Sequence, residues 1–300
     1  MSIEKLQSCI EQIEQAPDFK LLRRVPELLP EKPECSGKPY QMAIIDLETT
    51  GLNPAEHEII EIGTLIVSFT NESGLGQVQL ADNQLQEPKI PIPAEITRIT
   101  GITNEDVKGQ SIDWAHLGEA LEKVNLVVCH NASFDRQFLE LATPSAFREI
   151  IEQKAFGCSL KDVDWRAKGY ESGKLEYLNF KMGYFYEGHR ALTDCWATLN
   201  VLVQGEDAFD DLKASVREKS ILICAVGSDF DKKDLLKERG YRWSSGDGDI
   251  PKCWWTTVSE ETYEEELEFL YRDIYYGREV SLPTKKITAF QRYSTREFKL

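Results

Sequence analysis

The sequence predicts an α/β fold: a mixed central sheet flanked by helices, followed by a small C-terminal α+β domain. Apolar runs of strand length occur at residues 42–47, 59–69 and 126–129. Stretches of helical period follow these runs, and such alternation is typical of a sheet covered by helices. A compact series of short strands and helices then begins again near residue 220.

Composition limits the class of protein. Of the 300 residues, 41% are hydrophobic and 29% are charged, as in ordinary globular proteins. No run approaches the ~18–20 apolar residues of a membrane span, and the first residues lack the pattern of a secretory signal. The seven cysteines are scattered and contain no Cys-x-x-Cys pair, which argues against a zinc site or a disulfide framework. We therefore expect a cytoplasmic protein with no membrane contact.

The chain is expected to have three parts. Residues 1–39 predict a helical N-terminal extension and linker, because apolar residues between positions 3 and 13 recur at helical spacing and prolines follow from position 26. Residues 40–205 form the main domain. Residues 206–300 form a small accessory domain with a basic tail.

The first strand of the main domain ends in two carboxylates, Asp46 and Glu48. Residues two apart on a strand face the same side, so these side chains project together. They repel each other unless a cation lies between them, and hard oxygen ligands favour Mg²⁺ or Mn²⁺. Gly51 then permits the positive φ of a sharp turn. For this pair alone, solvated acids at a strand end are the alternative interpretation.

Two further acids are predicted at the starts of helices. Asp135 lies in the first turn of a helix that Asn131 or Ser133 can cap, directly after the strand at residues 126–129. Asp194 opens a later helix that runs to about residue 203. Both acids therefore stand where one element ends and another begins.

The ends of adjacent elements converge in an α/β sheet, so Asp135 and Asp194 are expected to meet the first acidic pair at one site. Four carboxylates around two Mg²⁺ or Mn²⁺ ions ~3.5–4 Å apart suit in-line phosphoryl displacement. His189 lies five positions before Asp194, where a neutral imidazole suits the general base that takes the proton from water. A helix-capping role is the alternative for His189.

These residues also match a known family. The pattern resembles the three exonuclease motifs of the DEDDh superfamily, in the segments Asp46-x-Glu48-Thr49-Thr50-Gly51, His130-Asn131-Ala132-x-Phe134-Asp135 and His189-x-x-x-x-Asp194. Their spacing is similar to that of the proofreading epsilon subunit of bacterial DNA polymerase III. The resemblance covers about residues 40–205 and implies an RNase H-like exonuclease fold.

The resemblance implies a 3′→5′ exonuclease that hydrolyses the terminal phosphodiesters of single-stranded DNA or RNA to nucleoside 5′-monophosphates. In the family, the residue at Asp46 contacts both metal ions, those at Glu48 and Asp194 hold the tighter ion, Asp135 serves the second, and His189 is the base. The residues implied to hold the terminal nucleotide are Thr49, Thr50, Gly51, Leu52, Asn131 and Phe134.

The implied partners are nucleic acid 3′ ends and a polymerase or another replication or repair protein. A non-catalytic subunit that only binds 3′ ends, or that only associates with a polymerase, is the alternative. The choice between DNA and RNA stays open, because it depends on contacts to the sugar 2′ position.

The net charge of −16 argues against salt-driven binding of long duplexes over a broad surface. It allows a local groove in which divalent cations supply the positive charge. The accessory domain also carries an aromatic set: Tyr241, Trp243, Trp254 and Trp255. Core packing is the favoured interpretation of this set, and base stacking is the alternative.

Overall fold

The computed structural model describes residues 3–27, 37–72 and 74–300, with side chains from residue 5 onward. Residues 28–36, which include much of the predicted linker, lie outside the described residues. The chain divides into a larger unit, Met1–Lys213, and a smaller unit, Ala214–Leu300. The three-part division proposed from the sequence stays a prediction. Within the described ranges, no helix has both the length and the apolar character needed to cross a membrane.

The elements are numbered in chain order. The strands are β1 (Arg23–Arg24), β2 (Tyr40–Thr49), β3 (Ile59–Thr70), β4 (Gly74–Leu85), β5 (Leu126–Cys129), β6 (Ala155–Cys158), β7 (Tyr184–Phe185), β8 (Ser220–Ala225), β9 (Arg242–Ser244), β10 (Cys253–Ser259) and β11 (Thr284–Ile287). The α-helices are α1 (Ile3–Gln15), α2 (Ala94–Thr100), α3 (Asn104–Val107), α4 (Trp114–Glu122), α5 (Ala132–Leu141), α6 (Ser145–Glu152), α7 (Leu175–Lys181), α8 (Ala191–Gln204), α9 (Ala208–Arg217), α10 (Lys233–Glu238) and α11 (Tyr263–Phe269).

The larger unit is built on a five-stranded sheet in the order β4-β3-β2-β5-β6. β4, β3 and β2 pair antiparallel, whereas β5 and β6 continue the sheet parallel to β2. β2 is the central strand, so its residues from Met42 to Ile45 are buried on both faces. The mixed sheet flanked by helices confirms the predicted fold class.

The structure differs from the sequence prediction mainly in short elements. The third strand, expected over residues 77–80, extends to Gly74–Leu85, and β6, α6 and β11 were not predicted as such. β6 consists of Ala-Phe-Gly-Cys, which is too short to show a period and contains a glycine that weakens strand propensity. A helix, α9, also occupies much of the stretch after Gly205 that reads as a polar break.

α5 is fixed to the sheet by a buried cation. The Arg136 side chain is fully buried, and its Nε donates to Glu140 Oε1 at 2.8 Å, one helical turn away. Its guanidinium also lies 4.2 Å from the centre of the Phe156 ring on β6. Since Asp135 is the preceding residue, this contact sets the rotation of the helix that carries it.

The smaller unit has a four-stranded antiparallel sheet in the order β11-β8-β10-β9. Alternate residues of β8 face opposite sides: Ile223 packs in one cluster with Leu236 of α10 and Phe269 of α11. Leu222 packs in a second cluster with Ile287 of β11. This arrangement confirms the predicted small α+β domain. The cysteines within the described residues are free thiols, and all except Cys9 are buried.

The buried pair predicts a large stability effect. Arg136→Met leaves the Glu140 carboxylate buried without its guanidinium, so we expect the free energy of unfolding of the larger unit to fall by about 3–5 kcal/mol. Urea denaturation measures this change. Arg98→Met is the matched control, because Arg98 and Glu95 form a solvent-exposed pair whose loss should have a far smaller effect. Equal stability changes in the two variants would contradict the prediction.

Candidate active site

Three of the four predicted acids meet at one point. One carboxylate oxygen from each of Asp46, Glu48 and Asp194 lies within 4.8 Å of the other two. The first two lie on β2, which carries a bulge directly after Glu48, and Asp194 lies in the first turn of α8. Strand alternation and helix position therefore bring residues almost 150 positions apart in sequence into one cluster.

Asp135 lies in the same cleft but outside this group of three carboxylates within the described part of the chain. Its side chain is buried in the first turn of α5. The backbone N–H of Leu47, between the two acids of β2, donates a hydrogen bond to its carboxylate. The fourth acid is thus anchored to the same strand as the first two.

The cleft has a volume of about 640 Å³ and contains both predicted histidine positions, His130 and His189, with Tyr186. His189 is solvent-exposed and has a left-handed backbone with φ of 65°, which costs energy for a residue other than glycine. The next residue, Arg190, donates its backbone N–H to Asp194 Oδ2 at 3.1 Å. The Tyr186 hydroxyl hydrogen-bonds the same carboxylate. The segment before α8 therefore presents the imidazole beside the acids.

Burial and mutual repulsion hold these carboxyl groups above their usual pKa range. Burial raises the pKa of Asp46 well above its ordinary value, and the nearby acids add to the effect. The pKa of Glu48 is raised to about 8, first by burial and then by Asp194 and Glu61. Burial likewise raises the pKa of Asp135 to about 7 and that of Asp194 to about 6. Such a cluster favours either bound protons or a bound cation.

The donor set fits a divalent cation. Carboxylate oxygens are hard ligands, which Mg²⁺ and Mn²⁺ prefer over the sulfur and nitrogen ligands of softer metals. Asp46, Glu48 and Asp194 offer oxygens close enough to share one ion. Asp135 lies at the same cleft.

The four residues after Glu48 form a turn that hydrogen bonds hold in place. Thr49 Oγ1 donates to the Gly51 carbonyl oxygen at 2.6 Å, and Thr50 Oγ1 accepts from the backbone N–H of Glu58 at 2.9 Å. Leu52 is 83% exposed. None of residues 49–52 lines the cleft as described. They form the turn beside it, whose exposed tip is Leu52.

The expected role of Gly51 in the turn is wrong in one respect. Its φ is not among the positive values of the described backbone. A side chain would be unfavourable for a different reason: a Cβ at this position would lie 2.2 Å from Cδ2 of the His57 imidazole, which would have to move. Gly51 is therefore needed for a close approach rather than for a left-handed conformation.

Asn131 and Phe134 do line the cleft. Asn131 is exposed at the start of α5 and makes no side-chain capping bond there, so its amide is available to a ligand. Phe134 is half-buried with its ring centre 4.9 Å from that of Phe138. One face of the predicted nucleotide pocket thus consists of a polar amide beside an aromatic ring.

His130 has a structural role. Its Nδ1 lies 2.8 Å from Ser159 Oγ and its Nε2 lies 2.9 Å from the Gly173 carbonyl oxygen. Burial lowers the pKa of the imidazole to about 4. Both ring nitrogens are therefore engaged, and His189 is the histidine at the cleft that is open to solvent.

Sequence reasoning missed the importance of Glu61, a fully buried acid on β3 opposite Glu48. Arg190 Nη2 and Nε donate to Glu61 Oε1 at 2.7 and 3.1 Å. The Ala191 backbone N–H donates to Oε2 at 3.0 Å, and Asn83 Nδ2 donates to Oε1 at 2.8 Å. Glu61 therefore binds the N-terminus of α8, where a helix favours negative charge. The signal available in the sequence was an acid inside an apolar strand.

Gly63 allows the same helix to approach β3. It lies opposite Asp46 in the strand register, and a Cβ at this position would lie 2.3 Å from both the Ala191 carbonyl carbon and the Leu192 nitrogen. Backbone atoms cannot yield to such a contact without moving the helix. Glu61 and Gly63 together determine how α8 packs against β3, and hence the position of Asp194.

Known proteins resemble this chain over the region that holds the site. The family model described as Exonuclease (RNase_T) matches residues 43–202. DNA polymerase III PolC-type of Thermotoga maritima is 31% identical over 169 residues, covering 54% of this chain and 11% of that one. DNA polymerase III subunit epsilon of Aquifex aeolicus is 29% identical over 164 residues, covering 54% of this chain and 78% of that one. The chain thus spans only about a tenth of the length of its PolC-type relatives.

A solved structure also aligns with the chain. This structure is exonuclease I of E. coli in complex with a dT13 oligonucleotide, and the alignment covers 73% of this chain and 63% of the exonuclease I chain. The sequence identity is 16% and the TM-score is 0.48.

The close packing of α8 against Gly63 predicts that metal affinity depends on this glycine. Gly63→Ala displaces α8 and with it Asp194, so we expect the affinity for Mn²⁺ to fall about 10- to 100-fold, as for loss of an outer contact that orients a ligand. Isothermal titration calorimetry measures the binding. The matched control is Gly248→Ala, because no atom lies within 4 Å of a Cβ there.

Glu61→Gln tests the same contact between β3 and α8 without adding side-chain volume. It keeps the shape of the side chain and removes the charge that holds Arg190, so Mn²⁺ affinity should again fall. Wild-type affinity in both Gly63→Ala and Glu61→Gln would contradict the role of β3 in positioning Asp194.

Proposed function

The chain belongs to the exonuclease family, and from that premise we propose that it hydrolyses single-stranded DNA or RNA from the 3′ end and releases nucleoside 5′-monophosphates. The observation that carries the proposal is the group of three carboxylates, with a fourth acid and an exposed histidine in the same cleft. Clusters of carboxylates that can hold divalent metal ions are suited to phosphodiester hydrolysis.

The acids act as ligands in this proposal. Asp46 would contact both ions, Glu48 and Asp194 would hold one, and Asp135 would serve the other. Two Mg²⁺ or Mn²⁺ ions, when bound, supply Lewis-acid stabilisation of the negative charge that develops at the scissile phosphate. Partial burial strengthens the electrostatic interactions of the acids with any cation between them.

His189 acts as the general base. Its imidazole accepts a proton from the attacking water, whose oxygen forms the new bond to the terminal phosphorus. The bond from phosphorus to the 3′ oxygen of the preceding nucleotide breaks, and that oxygen takes up a proton. The products are a nucleoside 5′-monophosphate and a strand shortened by one nucleotide with a free 3′ hydroxyl.

The terminal nucleotide binds beside these groups. Asn131 offers its exposed amide, and the Phe134 ring offers a surface for the base or sugar. The turn of residues 49–52 contributes its backbone and the exposed apolar side chain of Leu52. This arrangement recognises a strand end, because only a terminus leaves the 3′ hydroxyl free.

A polymerase or another replication or repair protein is the proposed partner. The support is that relatives of this chain bear the names of a polymerase and of a polymerase subunit. Co-purification with a polymerase would favour proofreading, whereas a preference for short RNA would favour RNA trimming.

Direction and product are tested with DNA and RNA strands labelled at either end. With Mg²⁺ or Mn²⁺, a 5′-labelled strand should give a ladder of shortening products, whereas a 3′-labelled strand should release labelled mononucleotide at once. Asp46→Asn should abolish both, because it removes a charged ligand while keeping the side-chain shape. Asp46→Asn with wild-type activity, or a ladder from the 3′-labelled strand, would defeat the proposal.

The base is tested separately. His189→Ala should lower kcat about 10²- to 10⁴-fold, the usual contribution of general base catalysis, while Mn²⁺ affinity stays near that of the wild type. His116→Ala is the matched control, because His116 is an exposed imidazole on α4. Equal kcat values for the two variants would remove His189 from the mechanism.

A further inference from the structure

The smaller unit carries a continuous stripe of aromatic and basic side chains: Phe230, Lys233, Lys237, Trp254 and Trp243. Lys233 Nζ lies 4.1 Å from the centre of the Phe230 ring. Lys233 and Lys237 are four residues apart on α10, so they lie on the same helix face. Lys237 Nζ is 5.9 Å from the Trp254 ring centre, and the Trp254 and Trp243 ring centres are 5.5 Å apart.

The two ends of the stripe are open to solvent. Phe230 is 80% exposed and Trp243 is 52% exposed. Trp243 lies on β9, the edge strand of the sheet, directly opposite Trp254. Both rings are therefore accessible to a ligand that stacks on aromatic faces.

The structure also separates the aromatic set that the sequence could not divide. Tyr241 is buried, and its hydroxyl donates to Glu266 Oε1 at 2.8 Å. Trp254 and Trp255 are half-buried and pack against the two cores of the smaller unit. Core packing therefore accounts for Tyr241 and for part of these two rings, whereas Trp243 is left facing solvent.

The side chains of the stripe include two lysines and no acid, although the chain is acidic and Asp229, Asp231, Asp234 and Glu238 are near neighbours in sequence. Neither Lys233 nor Lys237 forms an ion pair with a carboxylate among the residues that the structure describes. Asp234 and Glu238 each follow one of these lysines by a single position, which places them about 100° around the helix. Asp229 lies beside the Phe230 end, where its carboxylate accepts a hydrogen bond from Tyr276.

We infer that this stripe is a second nucleic-acid site, which binds single-stranded DNA or RNA independently of base sequence. Bases stack on Phe230 and Trp243, because every base has an aromatic face, and the lysines between these rings bind the phosphates. Binding of this kind tracks a strand through its interior, so it requires no 3′ terminus. The site thus goes beyond the proposed exonuclease cleft and lies on different residues.

A circular oligo(dT) isolates the stripe from the cleft, because it has no 3′ end to be held or hydrolysed. With a fluorescein label, its binding to the full chain is measured by anisotropy. Trp243→Ala should weaken binding about 5- to 150-fold, which corresponds to the loss of about 1–3 kcal/mol of stacking. Trp243→Phe keeps a stacking surface and should retain most of the affinity. Circular oligo(U) provides the RNA arm of the same measurement.

Lys237→Gln provides a second variant that leaves the rings in place. It should weaken binding and reduce the slope of log affinity against log salt by about 0.7, the value for one phosphate contact on a single strand. Lys286→Gln removes one charge from β11, the opposite edge of the sheet, and should leave binding unchanged. Phe290→Ala removes another exposed ring of the smaller unit and should also have no effect.

Asp46→Asn separates this inference from the proposed function. It should bind the circle like the wild type even when it no longer degrades linear strands. Three outcomes would each overturn the inference that the stripe binds nucleic acid. They are no binding of the circle by the wild type, equal losses of affinity in Lys237→Gln and Lys286→Gln, and loss of binding in Asp46→Asn. A wild-type chain that binds the circle but degrades no linear strand would overturn the proposed function alone.

Discussion

Repulsion between carboxylates is the constraint on which the active-site region depends. Burial and like charges raise the pKa of Glu48 to about 8 and hold that of Asp46 well above its ordinary value. A protein keeps such a cluster only when the surrounding structure over-determines it and a cation or protons balance the charge. The central position of β2 provides the first condition, because its apolar residues are packed on both faces of the sheet.

The remaining acids are held by contacts that reach back to this sheet. α5 is oriented by the buried Arg136, and the backbone of β2 hydrogen-bonds Asp135. α8 is held by Glu61 and by the absence of a side chain at Gly63. Both helices therefore present their first turns to the acidic strand. A shift of either helix would separate the acids, so we expect residues that do not line the cleft to influence the site.

The proposed binding of nucleic acid by this acidic chain depends on local features rather than on its net charge. In the cleft, divalent cations bound to the acids would offset the repulsion between carboxylates and phosphates. On the smaller unit, lysines placed between exposed rings give a positive surface in a chain of net charge −16. Both features act over short distances, because salt screens charges more than about 10 Å apart at moderate ionic strength.

The sequence by itself determined the fold class and the positions of the acids on their elements. Asp46 and Glu48 end an apolar strand, while Asp135 and Asp194 begin helices, and these are local properties that period and capping signals encode. Only the tertiary structure showed that Glu61 on β3 pairs with Arg190, because that contact joins residues 129 positions apart and no local pattern specifies it. The same holds for the aromatic set. Tyr241 and Trp243 are near neighbours in sequence, but Tyr241 packs in the core with residues of α10 and α11, whereas Trp243 lies exposed on the edge strand β9.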